Sequence, residues 1–426
     1  MGRLEEQDFD EKRLARRQRR KKSQLMAFII LVTTLVLIIV AGAFGFYSIR
    51  KVVNAHKAEK EEAAAAAISS AQEVVIETPQ ETTPEPEEMT QGDVLEEIVN
   101  SCISELTLEE KVAGLFMVTP EQLTGVETVV KAGSSTQDAL SKYAIGGLFY
   151  SAKNLKSKDQ IMEMLRNTSD MSKYPLFMAV KEDGSGNGAI EASLGSLEAG
   201  EINNSDTAYN AGNVIGTAMF GYGFNFDIAP DLDITENGKY GQEMESVADI
   251  TVSLASGLHD GGVTTCVYQF PVAADTKSEM VTNEISKEEL TTSSYVVYQR
   301  AIGDGGAKAV MMSNVSLPNI TGDNTPASLS SVMISDELRG MLGFDGVVVT
   351  GPLNEAAVTE YYTSGEAAVK AISAGADVVF LPENFEEGIQ GVLEAVGNGI
   401  ITEDRINESL RRIYRLKYAG KVTEIK

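Results

Sequence analysis

Eight short apolar runs recur between residues 94 and 426, with helical patterns between them. They are LFMV (115–118), GGLFY (146–150), PLFMAV (175–180), FNFDIAP (224–230), VTTCVYQF (263–270), AVMMSNV (309–315), GVVVTG (346–351) and DVVFLP (377–382). A strand with one wet face alternates apolar and polar residues. These runs hardly alternate, so both of their faces must be covered, as in a parallel sheet. Segments such as NAGNVIGTAMFGYG and EAAVKAISAGA suit the covering helices, and they end in glycines that can take positive φ. Eight such units in about 330 residues predict an α/β fold of the (β/α)8 type, with a doubly wound open sheet as the alternative. The run Gly184-Ser185-Gly186-Asn187-Gly188 follows a strand but lacks GxGxxG spacing and a later acidic ribose partner. It is expected to be a flexible surface loop rather than a phosphate cradle.

The N-terminal part has a different character. Residues 25–47, LMAFIILVTTLVLIIVAGAFGFY, are apolar and uncharged, long enough for a helix to cross a bilayer core. A basic stretch within residues 1–24 abuts them, including Arg16, Arg17, Arg19, Arg20, Lys21 and Lys22. This asymmetry predicts a single transmembrane signal anchor with a cytoplasmic N-terminus. A cleaved signal peptide is the rival reading, since Ala41-Gly42-Ala43 resembles a small-residue cleavage site. Residues 48–93 turn to Ala, Glu, Thr and Pro, a composition that cannot bury a core, and are expected to form a disordered tether. Residues 94–426 are then an extracytoplasmic barrel domain attached to the cell membrane by one pass.

A formal net charge of -26 on 426 residues excludes nucleic acid as an expected partner, because phosphate binding needs basic clusters. Cys102 and Cys266 are the only cysteines and are read as buried free thiols. No CxxC or CxxH spacing exists, so neither a metal nor another cofactor is expected.

The segments LTLEEKVAGLFMV, FNFDIAPDLDI, PASLS, LRGMLGFDGVVV and INESLRRIYRLKYAG together resemble the barrel domain of glycoside hydrolase family 3. The similarity is to the single-domain β-N-acetylhexosaminidase branch. The resemblance implies retaining hydrolysis of a glycosidic bond by a nucleophile and a proton donor. It also implies that no second sandwich domain follows the barrel. In the family, an aspartate nucleophile comes straight after the Ser or Thr that ends the seventh strand. Here that position, after Thr350, is Gly351. The proton donor is a histidine paired with an aspartate two residues earlier, on the loop after the fifth strand. In VYQFPVAADTKSEMVTNE these positions are Val281 and Glu279. The family's Lys-His before Phe-Pro is Tyr268-Gln269, and its Gly-His-Gly is Val272-Ala273-Ala274. No shift of register restores a histidine, because the chain has only His56, beside the apolar segment, and His259, at a helix end on the opposite rim.

Sugar-binding positions differ as well. An aspartate and an arginine after the third strand become Lys181 and Gly186, and a second arginine falls near Gln242 or Glu243. The histidine ending the sixth strand is Asn314, while Asp233 matches a family acid that either contacts sugar or braces its loop. These losses leave no residue assigned to catalysis and predict a degenerate family member. Glu182, Asp183, Gln269 and Asn314 are the candidate substrate-binding residues. The expected partner is a glycan such as peptidoglycan fragments, or an envelope protein. The alternative is an active glycosidase using substitute acids from among Glu182, Asp183, Asp275, Glu279 and Glu355. Glu355 reads as a helical turn too far along the chain to replace the missing nucleophile without rearrangement.

Overall fold

A computed structural model describes residues 90–420, apart from 185, 187 and 237. The segments read from sequence as a cytoplasmic stretch, a membrane anchor and a tether lie outside the described residues, save the last few of the tether. Among the described residues, no helix is long and apolar enough to cross a membrane.

All eight apolar runs contain strands: β1 Phe116–Val118, β2 Gly147–Phe149, β3 Phe177–Val180, β4 Phe226–Asp227, β5 Thr264–Phe270, β6 Ala309–Met312, β7 Val347–Val349 and β8 Val379–Phe380. They pair in parallel in the order β7-β6-β5-β4-β3-β2-β1-β8. A parallel bridge between Val349 and Val378 joins the two ends, so the sheet is a nearly closed barrel rather than an open one. Burial matches the sequence pattern. Phe116, Met117, Val118, Val347, Val348 and Val349 are all 0% exposed, with side chains inside the ring and under the helices alike.

Local chemistry fixes where the outer helices start. Thr107 accepts a hydrogen bond from the Glu110 amide while the Glu110 carboxylate accepts from the Thr107 amide, which starts Leu108–Ala113. Thr363 and Glu366 make the same reciprocal cap on Ser364–Ala374. The helices Ser205–Tyr222 and Met244–Asp260 approach each other through glycine. A Cβ on Gly212 would stand 2.3 Å from the Leu254 carbonyl oxygen, and one on Gly257 would stand 2.2 Å from that of Tyr209. Both thiols are free; Cys266 is buried in β5, whereas Cys102 is half-buried, with its Sγ 3.4 Å from the Tyr418 hydroxyl.

The barrel closes around one carboxylate. Asp377, 0% exposed, precedes β8, and its amide donates to the Val348 carbonyl at 2.8 Å. Its Oδ2 accepts from the Val348 amide at 2.9 Å and from Arg339 at 2.6 Å. Its Oδ1 accepts from Ser409 at 2.6 Å and from Arg412 at 3.3 Å, with Arg405 at 3.6 Å. One side chain thus ties β7, β8 and the C-terminal helix Glu403–Ala419 together. Removing one partner of a buried, hydrogen-bonded charge group leaves the others uncompensated, at a cost of about 3–5 kcal/mol. Asp377→Ala is therefore expected to lower unfolding stability by about that amount. Chemical denaturation checks this; a loss below about 1 kcal/mol would mean that the seam does not depend on this carboxylate.

Candidate functional site

The C-terminal ends of the strands surround a cavity of about 510 Å³, within the size range of small-ligand sites. Phe149 and Phe380 come from β2 and β8, Lys181 follows β3, and Asp231 and Asp233 follow β4. Tyr268 and Gln269 close β5, Ser313 and Asn314 follow β6, and Glu355 follows β7. Aromatic and aliphatic walls with a few convergent polar groups are the usual lining of a small-molecule site.

The floor near β7 is tightly built. Thr350 Oγ1 accepts from the Phe380 amide at 2.9 Å, and the Gly351 amide donates to Ser328 Oγ at 2.8 Å. The backbone is thereby pinned where it leaves the sheet. Asn314, 1% exposed, lies across Gly351. A Cβ placed on Gly351 would meet Asn314 Oδ1 at 2.8 Å, Cγ at 2.9 Å and Nδ2 at 3.0 Å. A side chain at residue 351 would have to displace the Asn314 carboxamide. Asn314 is itself held, because its Nδ2 donates to the Pro352 carbonyl at 2.8 Å and to Glu355 Oε2 at 2.9 Å.

Glu355 is half-buried in the cavity wall, one hydrogen bond from Asn314. Thr276 Oγ1 donates to the same Oε2 at 2.5 Å, drawing the loop after β5 against the segment after β7. Spacing along the chain hides this contact, because Pro352 turns the backbone back into the mouth.

The four candidate binding residues separate into two pairs. Gln269 and Asn314 line the cavity. Glu182 and Asp183 stand behind its wall. Glu182 is 0% exposed; its Oε2 accepts from the amides of Ile190 at 2.8 Å and Glu191 at 3.0 Å. Its side chain packs against Gly188 at the start of the helix Ala189–Leu194, where an added Cβ would come within 1.7 Å of Glu182 Oε1. Asp183 pairs with Lys239 at 3.3 Å. Among the other expected positions, Glu279 and Gln242 are exposed, and Glu243 caps Met244–Asp260 by accepting from the Ser246 amide at 2.7 Å. His259 is exposed in the last turn of that same helix, as expected.

Sequence reasoning missed Asp231 as a cavity acid. Its Oδ1 accepts from the Asp233 amide at 3.1 Å, and burial raises its pKa to about 6 against the pull of Lys181. The signal was present in APDLDI, where only Asp233 was singled out. Asp233 both lines the cavity and braces its own turn, accepting from the Thr235 amide and hydroxyl at 2.9 Å each. The Lys181 ammonium lies 4.3 Å from the centre of the Tyr268 ring, a cation–π contact on the same wall.

Residues 107–416 match the family described as the glycosyl hydrolase family 3 N terminal domain. The chain belongs to this family. Among relatives, it is 27% identical over 263 residues to a beta-hexosaminidase of Nitrosospira multiformis, covering 57% of this chain and 74% of that one. It is 21% identical over 324 residues to beta-hexosaminidase A of Pseudoalteromonas piscicida, covering 66% of this chain and 54% of that one. The match thus spans about half the length of the Pseudoalteromonas protein. A solved family 3 beta-N-acetylglucosaminidase from Paenibacillus sp. str. FPU-7 superposes with a TM-score of 0.68 at 29% identity, covering 75% of this chain and 63% of that one. The family 3 scaffold therefore carries, at the end of β7, a glycine whose side-chain space is filled by Asn314 from β6.

Overpacking of a filled site costs typically about 1–3 kcal/mol, so Gly351→Ala is expected to destabilise by that amount. Adding Asn314→Ala frees the space and should recover part of the loss. A double-mutant cycle by denaturation measures the coupling; strict additivity would show that Asn314 does not occupy the site. A second expectation concerns pH. Burial raises the Glu182 pKa from 4.5 to about 7, despite the opposing amide hydrogen bonds. The folded state then holds a proton that the unfolded chain has released. The resulting stability is fully present below pH 4.5 and is lost as pH rises through about 7. Melting curves from pH 4 to 8 should show this decline, and Glu182→Gln should make it shallower while the buried Asp227 and Asp231 keep their share; an unchanged slope in the variant would contradict the assignment.

Proposed function

We propose that this family 3 member binds cell-envelope glycan in its barrel mouth without breaking the glycosidic bond. Peptidoglycan fragments are the first candidate ligand. Residues 25–47 would hold the domain at the outer face of the cell membrane, with the acidic tether as spacer; the apolar run and the basic stretch before it support this placement. One observation carries the reading. The position that supplies the family's nucleophile is Gly351, and Asn314 fills the space a carboxylate would need. A glycine cannot form a glycosyl intermediate, and Val281, at the proton donor's position, cannot transfer a proton. Loss of a general acid alone typically costs ~10²–10⁴ in rate. What remains is a cavity of ligand size with polar groups at its floor.

A second reading, hydrolysis by substitute acids, has one observation in its favour. Asp231, raised to about 6, and Glu355 line the same cavity, and two acids in unlike environments are the usual ingredients of glycoside hydrolysis. Release of chromophore from an aryl N-acetyl-β-glucosaminide separates the two. The binding reading predicts no turnover above the uncatalysed rate together with retention on purified peptidoglycan. Turnover abolished by Asp231→Asn or Glu355→Gln would establish the hydrolytic reading instead. Failure to bind glycan, with no turnover either, would point to an envelope protein as partner.

A further inference from the structure

Resting on the glycan-binding reading, the structure also carries information about the kind of sugar. We propose that, within the envelope glycan, the cavity selects N-deacetylated stretches, whose amino sugar carries a free ammonium group, over N-acetylated ones, and that Glu355 receives the ammonium.

The orientation of Glu355 is the first argument. Thr276 and Asn314 both donate to Oε2, fixing the carboxylate plane. Among the described residues no donor reaches Oε1, and Glu355 lines the cavity. A carboxylate anchored through one oxygen and open at the other is set to receive a donor from a ligand, and a charged donor gives the stronger bond.

The charge balance is the second. Asp231, Asp233, Asp275 and Glu355 line the cavity, against Lys181 and Lys277. Lys181 sits over the Tyr268 ring on the wall that carries Asp231, and Lys277, whose carbonyl accepts from the Ala356 amide at 3.2 Å, is exposed at the rim. No ion pair engages any of the four acids among the described residues. A cationic ligand supplies the missing complement, and electrostatic complementarity chiefly sets specificity.

The third argument is negative and bears on the acetyl group. An acetamido carbonyl needs a donor. Around Glu355 the donors are already committed: Asn314 Nδ2 to Pro352 and Glu355, and the Thr276 hydroxyl to Glu355. An acetyl oxygen brought beside Glu355 would meet a carboxylate and donors already engaged, whereas an ammonium would satisfy the open Oε1. Leaving polar groups unpaired is the usual means by which a site rejects a near relative of its ligand.

Calorimetric titration of the detergent-solubilised full chain tests the proposal, using a glucosamine trimer and the fully N-acetylated trimer. The amine form should bind at least about tenfold more tightly. Glu355→Gln, checked for an unchanged melting temperature, should bring the two affinities within about twofold, while Glu355→Asp, which keeps the charge, should restore part of the preference. Equal or tighter binding of the acetylated trimer would overturn the inference and leave the glycan-binding reading standing. Absence of binding by either trimer would overturn both. An amine preference that survives Glu355→Gln would remove Glu355 from the recognition.

Discussion

Closure of the eight-stranded ring is the constraint on which everything else in this molecule depends, and it rests on Asp377. Eight parallel strands leave two edges until β7 and β8 meet, and open edges with unpaired amides are costly. Here the Asp377 backbone and side chain both engage Val348, while arginines from two helices neutralise the buried charge. Closure has a chemical consequence at the other end of the same strands. It brings Thr350 under the Phe380 amide, fixing where Gly351 leaves the sheet. The mouth inherits its geometry from the seam beneath it.

Within that mouth the change from the family pattern is coupled, not piecemeal. A glycine at 351 and an asparagine at 314 are read separately from sequence as two losses. In space they are one arrangement, since the side chain from β6 lies where a side chain from β7 would be. Asn314 then passes its hydrogen-bonding capacity on to Glu355, and Thr276 completes the grip. Where the resemblance implies an acid directly after β7, the nearest acid further along the chain is Glu355, held by Asn314 and Thr276. On the proposed reading such a carboxylate recognises a ligand instead of attacking an anomeric carbon.

Much of this was legible in the chain. The near-continuous apolar runs identified every strand, because a buried parallel strand must be apolar on both faces. The block around GVVVTG pointed to the family, which residues 107–416 match. Less legible was the direction of side chains in turns. Glu182 and Asp183 follow a strand end, where ligand contacts are expected, yet Glu182 turns inward to hold amides of the next helix. Nothing in the order KEDGSG distinguishes that from a group facing the cavity. The contact of Glu355 with Asn314 was not legible, because separation along a chain does not measure distance across a turn. Asp231 went unnoticed because its perturbation comes from burial beneath neighbouring loops, a property of the assembled mouth.

The central claim is that the nucleophile's place is structurally closed and that no other group has taken over covalent chemistry. Intact-mass measurement after prolonged incubation with a fluorinated, activated N-acetylglucosaminyl fluoride, which arrests retaining enzymes at the covalent stage, addresses it most directly. The account predicts an unchanged protein mass. A stoichiometric increase by one glycosyl unit, mapped to any carboxylate of the cavity, would contradict it.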